Sequence, residues 1–320
     1  MFGSALLWLL KRLMNKSLKI EKNISLKKFT SWNVGGEAEH YCSPDSVEQV
    51  KEALLYGYKN KLKVTILAGG TNVLISDEGV KGLVIHTHNL TGIENVSINE
   101  KEVTMEVLSG TPKAEVLKEF MKLRLRPAIF FAGLPGDMGG GVVMNAGVGH
   151  KISPKEFCEV VKSIEVLECT EEGKVKEKAF TKDEIEWSYR KSKNWQPGII
   201  TKVVVGWPND PDDNILKEVR DGNKRRKSTQ PLNMPSCGSV FKNPEGNHSG
   251  ALIEQAGLKG KSVGGAQVSE KHANFIINTG SATASEIAEL IQYVQNTVEE
   301  KYSVKLTNEV IYLGVWPESV

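Results

Sequence analysis

The chain has 320 residues, 40% of them apolar, which suits two or three domains whose cores need no disulfides. Its 41 basic and 39 acidic residues leave a formal charge of +2, which gives no reason to expect nucleic acid as a partner. The four cysteines (Cys42, Cys158, Cys169, Cys237) show neither C-x-x-C nor metal-ligand spacing, so no metal is expected and a reducing cytoplasm is the simplest compartment.

Residues 1–28 read as an N-terminal helix or extension. The apolar run Ala5 to Leu10 is far short of the roughly 20 residues of a membrane span. Lys11, Arg12 and Lys16 follow it, whereas a secretory signal places its charges first. Leu6, Leu9, Leu10 and Leu13 would share one helical face, and a docked or frayed terminal helix is expected rather than one lying on a membrane.

Beyond residue 29 the pattern alternates between helix and strand. Ser46-Val47-Glu48-Gln49 predicts a capping box opening a helix to about Asn60. The runs Val64 to Leu67, Leu83 to Ile85 and 103–108 predict strands, and Gly110-Thr111-Pro112 predicts a turn into a helix with proline at its first position. A glycine-rich stretch covers 131–149. Strands at 160–167 and 199–205 then flank a hairpin turn at Glu171-Glu172-Gly173-Lys174. The polar, breaker-rich Pro208 to Asp213 predicts a linker, dividing the chain into 29–210 and 211–320. After it come a basic helix at 214–227, a strand at Ala273 to Ile277, and a helix capped by Thr283-Ala284-Ser285-Glu286. That last helix carries the apolar stripe Ile287, Ile291, Val294 and Val298. The fold class is α+β.

Glycine permits positive φ and lets a ligand approach the backbone, so successive N–H groups can converge on an anion. Leu67-Ala68-Gly69-Gly70-Thr71-Asn72 and the 131–149 segment are two such loops, able to grip the two phosphates of one dinucleotide. Neither matches the Rossmann or Walker pattern, so the dinucleotide would be held another way. His86-x-His88 would put two imidazoles on one face of a strand; without a third ligand at suitable spacing the pair reads as structural.

Six motifs in order resemble the UDP-N-acetylenolpyruvoylglucosamine reductase family. They are Ala68 to Asn72, Gly133-Leu-Pro-Gly136 with Gly139-Gly140, Met144-Asn145-Ala146-Gly147, Tyr189-Arg190-Lys191-Ser192, Pro235 to Pro244, and Lys271 to Asn278. The resemblance spans about residues 30 to 314. It implies non-covalent FAD in the fold shared with vanillyl-alcohol oxidase, NADPH as hydride source, and a separate substrate-binding domain to which the C-terminal strand need not belong. It implies UDP-N-acetylglucosamine enolpyruvate as substrate in peptidoglycan synthesis. A cytoplasmic monomer without membrane association is expected. Arg190 and Ser239 lie close in sequence, which resembles the shorter subtype lacking an inserted substrate-covering segment.

By the same resemblance, Gly69, Gly70, Thr71, Asn72, Gly133, Pro135, Gly136, Asp137, Gly139, Gly140, Asn145 and Gly147 fall in the flavin-binding motifs. Arg190, Ser239 and Glu309 would be catalytic, and Lys242, Asn243 and Gln267 would meet substrate or cofactor. Hydride added to the vinyl group pushes negative charge toward the neighbouring carboxylate. Arg190 suits that carboxylate, Ser239 can donate the proton that follows, and Glu309 can orient the others. Val304, Leu306 and Val310 would set Glu309 on the opposite, exposed face of a C-terminal strand. His272 reads as holding the local fold or the nucleotide rather than as a base. The chain departs from the family pattern at Asn33, Asp137, His150 and Thr229. Asp137 adds a negative charge near the expected pyrophosphate, and Lys227 or Arg226 would supply the charge that Thr229 lacks. Another FAD-dependent oxidoreductase of the same fold is the alternative reading.

Overall fold

The computed structural model describes residues 17–149 and 152–317; residues 1–16 of the expected N-terminal helix or extension and the His150 departure lie outside them, while the rest of that extension is no helix, since Glu21–Ser25 form a strand. The first sheet contains β1 (Glu21–Ser25), β2 (Glu37–Cys42), β3 (Val64–Leu67) and β5 (Val80–His86) in the order β1-β2-β5-β3, while β4 (Val73–Ile75) stands outside it. Helix α1 (Val47–Lys59) begins at Ser46, whose side chain accepts from Gln49 N–H, while Gln49 Oε1 accepts from Asp45 N–H. Its buried face of Val50, Ala53 and Leu54 shares one core with Leu83 and Ile85 of the first sheet and Leu167 and Ile199 of the next. The helix is thus the wedge between two sheets.

The second sheet is wholly antiparallel. It takes β6 (Ile93–Ile98), β7 (Glu102–Leu108), β8 (Val161–Cys169), β9 (Val175–Thr181) and β12 (Ile199–Pro208) in the order β6-β7-β12-β8-β9. Alternation along β7 buries Val103, Met105 and Val107 against the short helices α2 (Lys113–Lys122), α3 (Pro127–Ala132), α4 (Met138–Val143) and α5 (Phe157–Val160). Phe120, Phe130, Phe131 and Phe157 pack together there, a cluster of aromatic contacts. Pro112 caps α2 instead of entering it. Its backbone is extended (φ −57°, ψ 134°) because it bridges to Asp137. Between β9 and β12, β10 (Glu186–Ser188) and β11 (Lys191–Lys193) form a small hairpin whose turn is Tyr189-Arg190.

Helix α6 (Ile215–Thr229) lays Ile215 and Val219 on the second core. The rest of the chain builds α7 (Ser249–Gln255), the sheet β13 (Ser262–Val263), β14 (Ala266–Val268) and β15 (Ile276–Asn278), and the long α8 (Ala284–Tyr302). The capping box of Thr283 and Glu286 is formed, and Ile287, Ile291, Val294 and Val298 are buried. Only Ile276 and Ile277 of the expected strand at 273–277 are in β15; the residues before them turn, with Phe275 N–H donating to His272 O.

This third core is not built from the C-terminal region alone. Trp32, Val34 and Leu74 are buried in it. Trp32 Nε1 donates to Ile276 O at 2.7 Å, and Asn278 Nδ2 returns a bond to Trp32 O at 2.9 Å. Asp77 reaches across to cap α8, accepting from Ala284 N–H, Ser285 N–H and Ser285 Oγ at 2.7–2.9 Å. Finally β16 (Ile311–Leu313) pairs in parallel with β4. Among the described residues no helix is long and apolar enough to cross a membrane.

Candidate active site

The two glycine loops meet. A Cβ on Gly69 would lie 3.0 Å from Gly136 Cα, so the loop after β3 and the loop before α4 touch through backbone alone. Gly70 adopts φ +63°, and a Cβ there would fall 1.9 Å from Phe29 O; only glycine fits. Around this contact opens a cavity of about 690 Å³, a usual size for a small-molecule site. Gly69, Gly70, Thr71, Asn72, Gly133, Pro135, Asp137, Gly139, Gly140 and Gly147 line it. Gly136 and Asn145 support the lining instead. Asn145, buried at φ +36°, donates to Glu156 Oε2 (2.9 Å) and Ser188 O (3.1 Å) and accepts from Cys158 N–H, tying the loop to the β10–β11 hairpin.

That hairpin delivers Arg190 to the cavity wall. The two-residue turn holds Arg190 at φ +59°, a left-handed conformation uncommon for a long side chain. Its Nε donates to Glu309 Oε1 at 2.8 Å, with both side chains about 15% exposed (16% and 15%). The other nitrogens have longer contacts: Nη1 is 3.8 Å from Glu156, and Nη2 donates to Gly147 O at 3.4 Å. The Tyr189 ring lies 4.7 Å from the guanidinium.

Glu309 is not on an exposed strand face. Its N–H donates to Val240 O (2.8 Å), and Lys242 N–H donates to Thr307 O (2.9 Å), so the 307–309 segment pairs with the backbone that carries Ser239 and turns the Glu309 side chain inward. Asn72 Nδ2 donates to Glu309 O at 3.0 Å, which joins the first glycine loop to the same point. Burial pushes the Glu309 carboxyl above its ordinary range, with Arg190 and Lys242 pulling it back. From the other side, Asn274 Oδ1 accepts from Phe241 N–H (3.0 Å) while its Nδ2 donates to Phe241 O (2.8 Å), the two bonds a neighbouring strand would make. Ser239 therefore sits on a clamped segment and lines the same cavity as Arg190 and Glu309.

Of the residues expected to meet substrate, Asn243 lines the cavity and Lys242 lies near enough to act on Glu309. Gln267 stands apart. Its amide donates to Gly260 O and Ser262 Oγ within the third sheet, because its place on β14 aims it there, and it does not line the cavity. Thr229 is exposed, whereas Arg226 lines the cavity, its Nη1 donating to Ala132 O at 2.9 Å. The strand with His86 ends there, so His88 falls in a turn, yet the rings lie 3.9 Å apart. His86 is engaged by Tyr41, and burial, with His88, holds its pKa down to about 3. Among the described residues no group of three His, Cys, Asp or Glu could hold a metal. His272 Nδ1 accepts from Asn274 N–H, a local structural bond.

The residues present fit a dinucleotide. Two backbone-only loops form its cradle, and the buried Asp137 Oδ2, with no hydrogen-bond partner in the protein, is left to accept from a ligand hydroxyl or amide. Lys113, which the sequence did not single out, is buried and lines the cavity beside them. It shares a helical face with Val116 and Phe120, and that spacing was a readable signal.

Comparison with known proteins gives an FAD binding domain matched over residues 38–177. The UDP-N-acetylenolpyruvoylglucosamine reductase C-terminal domain is matched over residues 230–313. A protein of that name from Clostridium botulinum (strain 657 / Type Ba4) is 39% identical over 290 residues, covering 90% of each chain. One from Caldanaerobacter subterraneus subsp. tengcongensis is 36% identical over 303 residues, covering 93% of this chain and 95% of its own. The crystal structure of the Thermus caldophilus reductase superposes with a TM-score of 0.74 at 28% identity, covering 92% of this chain and 99% of that one. The fold class read from the motifs, α+β with the FAD-binding fold of the vanillyl-alcohol-oxidase type, stands.

Proposed function

The chain belongs to the UDP-N-acetylenolpyruvoylglucosamine reductase family, an FAD-binding oxidoreductase, and from that membership we propose that it reduces UDP-N-acetylglucosamine enolpyruvate to UDP-N-acetylmuramate with NADPH, in peptidoglycan precursor synthesis. The observation that carries this reading is the Arg190–Glu309 pair, closed at 2.8 Å in the cavity that also holds Ser239 and both glycine loops. FAD, held by the glycine-loop residues, would supply the two-electron hydride chemistry that links NADPH to the substrate.

Arg190 holds the substrate carboxylate. Glu309 fixes its Nε, and the long contacts of Nη1 and Nη2 leave those nitrogens for a planar anion. Charge that develops toward this carboxylate meets a preorganised guanidinium. Ser239 donates the proton to the neighbouring carbon, its position set by the backbone clamp between Asn274 and Glu309. Glu309 orients Arg190. The glycine-loop residues hold the cofactor without a covalent link, and Asn243 and Lys242 meet the nucleotide sugar. In this reading residues 29–210 bind the flavin, residues 211–320 bind the substrate, and the protein works as a cytoplasmic monomer.

The test is the visible spectrum of the purified protein. Flavin absorbance bleaches with NADPH and recovers when the UDP-enolpyruvyl sugar is added under exclusion of oxygen. Recovery that does not require this sugar overturns the substrate assignment. Denaturation releases a yellow small molecule into the supernatant; colour retained by the polypeptide overturns non-covalent binding.

A further inference from the structure

The side chain of Lys113 is hard to account for within the protein alone. It is 4% exposed, although it opens a helix where a lysine ordinarily reaches solvent. An ammonium offers three donors; Lys113 Nζ makes one hydrogen bond, to Pro135 O at 2.7 Å, and lies 5.4 Å from the centre of the Phe157 ring. Neither of these two carries charge, the Asp137 carboxylate adds only through-space attraction, and desolvation still outweighs it, drawing the lysine's pKa down.

Its position is fixed by backbone. Lys113 N–H donates to Gly136 O (3.0 Å), Met138 N–H donates to Thr111 O (3.0 Å), and Pro112 bridges to Asp137, so the start of α2 runs beside the second glycine loop. A Cβ built on Gly136 would lie 2.7 Å from Thr71 Oγ1 and 3.6 Å from Lys113 Nζ. Both groups therefore converge on the bare backbone where the two loops meet, and both line the cavity.

We propose that Lys113 is a cofactor-anchoring residue: its ammonium, stationed under the glycine loops, holds the pyrophosphate of the flavin dinucleotide, with Asp137 as the counter-charge that makes a buried cation tolerable before the ligand arrives. The inference rests on FAD as the cofactor. Burial draws the Lys113 pKa down to about 8 and Asp137 draws it back up, so the ammonium stays protonated at neutral pH. The departure at Asp137 then has a purpose: the negative charge placed beside the pyrophosphate is balanced by the lysine that directly follows Pro112, its partner in the bridge.

The test compares two ligands on the apo-protein, by quenching of flavin fluorescence: FAD, which carries the pyrophosphate, and riboflavin, which carries none. Lys113→Met lowers FAD affinity by about 10- to 100-fold, the scale of a charge-assisted hydrogen bond, and leaves riboflavin affinity within about twofold. Lys113→Gln, which keeps a donor for Pro135 O, guards against misfolding and shows the same selective loss. FAD affinity unchanged in both variants overturns the proposal. Equal loss of both ligands also overturns it, by making Lys113 a structural prop of the loop. Wild-type protein that binds neither ligand would fail the cofactor itself, a distinct outcome.

Discussion

Replacing Asn274 with alanine tests whether its amide helps hold Ser239, the proposed proton donor, in place. Asn274 is 4% exposed, and its side chain makes both hydrogen bonds of the Phe241 peptide, at 3.0 and 2.8 Å. Alanine leaves that buried N–H and C=O without partners, at about 1–3 kcal/mol each. Water entering the space recovers part of this, which sets the expected loss at about 2–4 kcal/mol. At about 2–4 °C per kcal/mol the melting temperature falls by roughly 5–15 °C, read by circular dichroism of the apo-protein. The consequence for chemistry is separable. In this reading FAD binding, assigned to the glycine loops, changes by less than about threefold, while turnover falls by about 10-fold or more because the Ser239 segment loses the side-chain half of its clamp and keeps only the backbone bonds of Val240 and Lys242. Asn274→Asp keeps an acceptor for Phe241 N–H but sets a buried carboxylate oxygen against Phe241 O, and so destabilises at least as much as alanine. A melting temperature within about 2 °C of wild type, the usual error of the assay, together with unchanged turnover, would refute the clamp.

Ser239→Ala retains flavin reduction by NADPH but slows reoxidation by the enolpyruvyl substrate by about 10² to 10⁴, measured in separate stopped-flow half-reactions; a wild-type reoxidation rate would show that another group donates the proton. Lys113 predicts a pH effect on the apo-protein. Its folded pKa of about 8 lies below the unfolded 10.5, so from pH 8 upward the unfolded chain binds more protons and stability rises with pH. Wild type therefore gains about 3 kcal/mol on Lys113→Met between those limits in urea titrations; a constant difference contradicts the buried ammonium. Asp77→Ala removes three bonds at the start of α8 and lowers stability by about 1–2 kcal/mol, checked by the same titrations, with no loss expected if the cap is idle. Deleting residues 1–16 leaves flavin content and turnover nearly unchanged, since the chemical motifs begin beyond them; loss of activity would show that this segment packs on the catalytic region.

Local rules made much of the fold readable. The capping box at Thr283, the stripe from Ile287 to Val298 and the hairpin turn at Glu171 to Lys174 each follow from a few neighbouring residues, and each is formed. The glycine loops were readable because Gly70 has no steric alternative. Long-range geometry was less so. The run Ala273 to Ile277 has strand composition, yet Asn274 leaves the ladder to bond Phe241, a tertiary choice that β propensity does not encode. Alternation placed Glu309 on an exposed face, but its backbone pairs with the Ser239 segment and its carboxylate with a guanidinium 119 residues earlier. Gln267 belonged to a motif-bearing region without facing the cavity. Lys113 was hidden by its type: a lysine on an apolar helical face is ordinarily read as a solvated edge.

The interlock of Trp32, Asp77 and β4 with the C-terminal region also bears on how the molecule is made. During synthesis Trp32 leaves the ribosome long before Ile276 and Asn278, its hydrogen-bond partners, exist. Likewise β4 waits for β16, among the last residues described. The third core therefore cannot close on a partial chain, and a fragment beginning at residue 211 would lack Trp32, Val34 and Leu74 from its interior. Contacts of such sequence separation form slowly, and until they form an indole and a strand edge stay exposed to other chains. The same hold that brings Glu309 to Arg190 makes the nascent protein depend on the 307–313 segment, so a chain shortened before it loses this ion pair and the closure of the third core together.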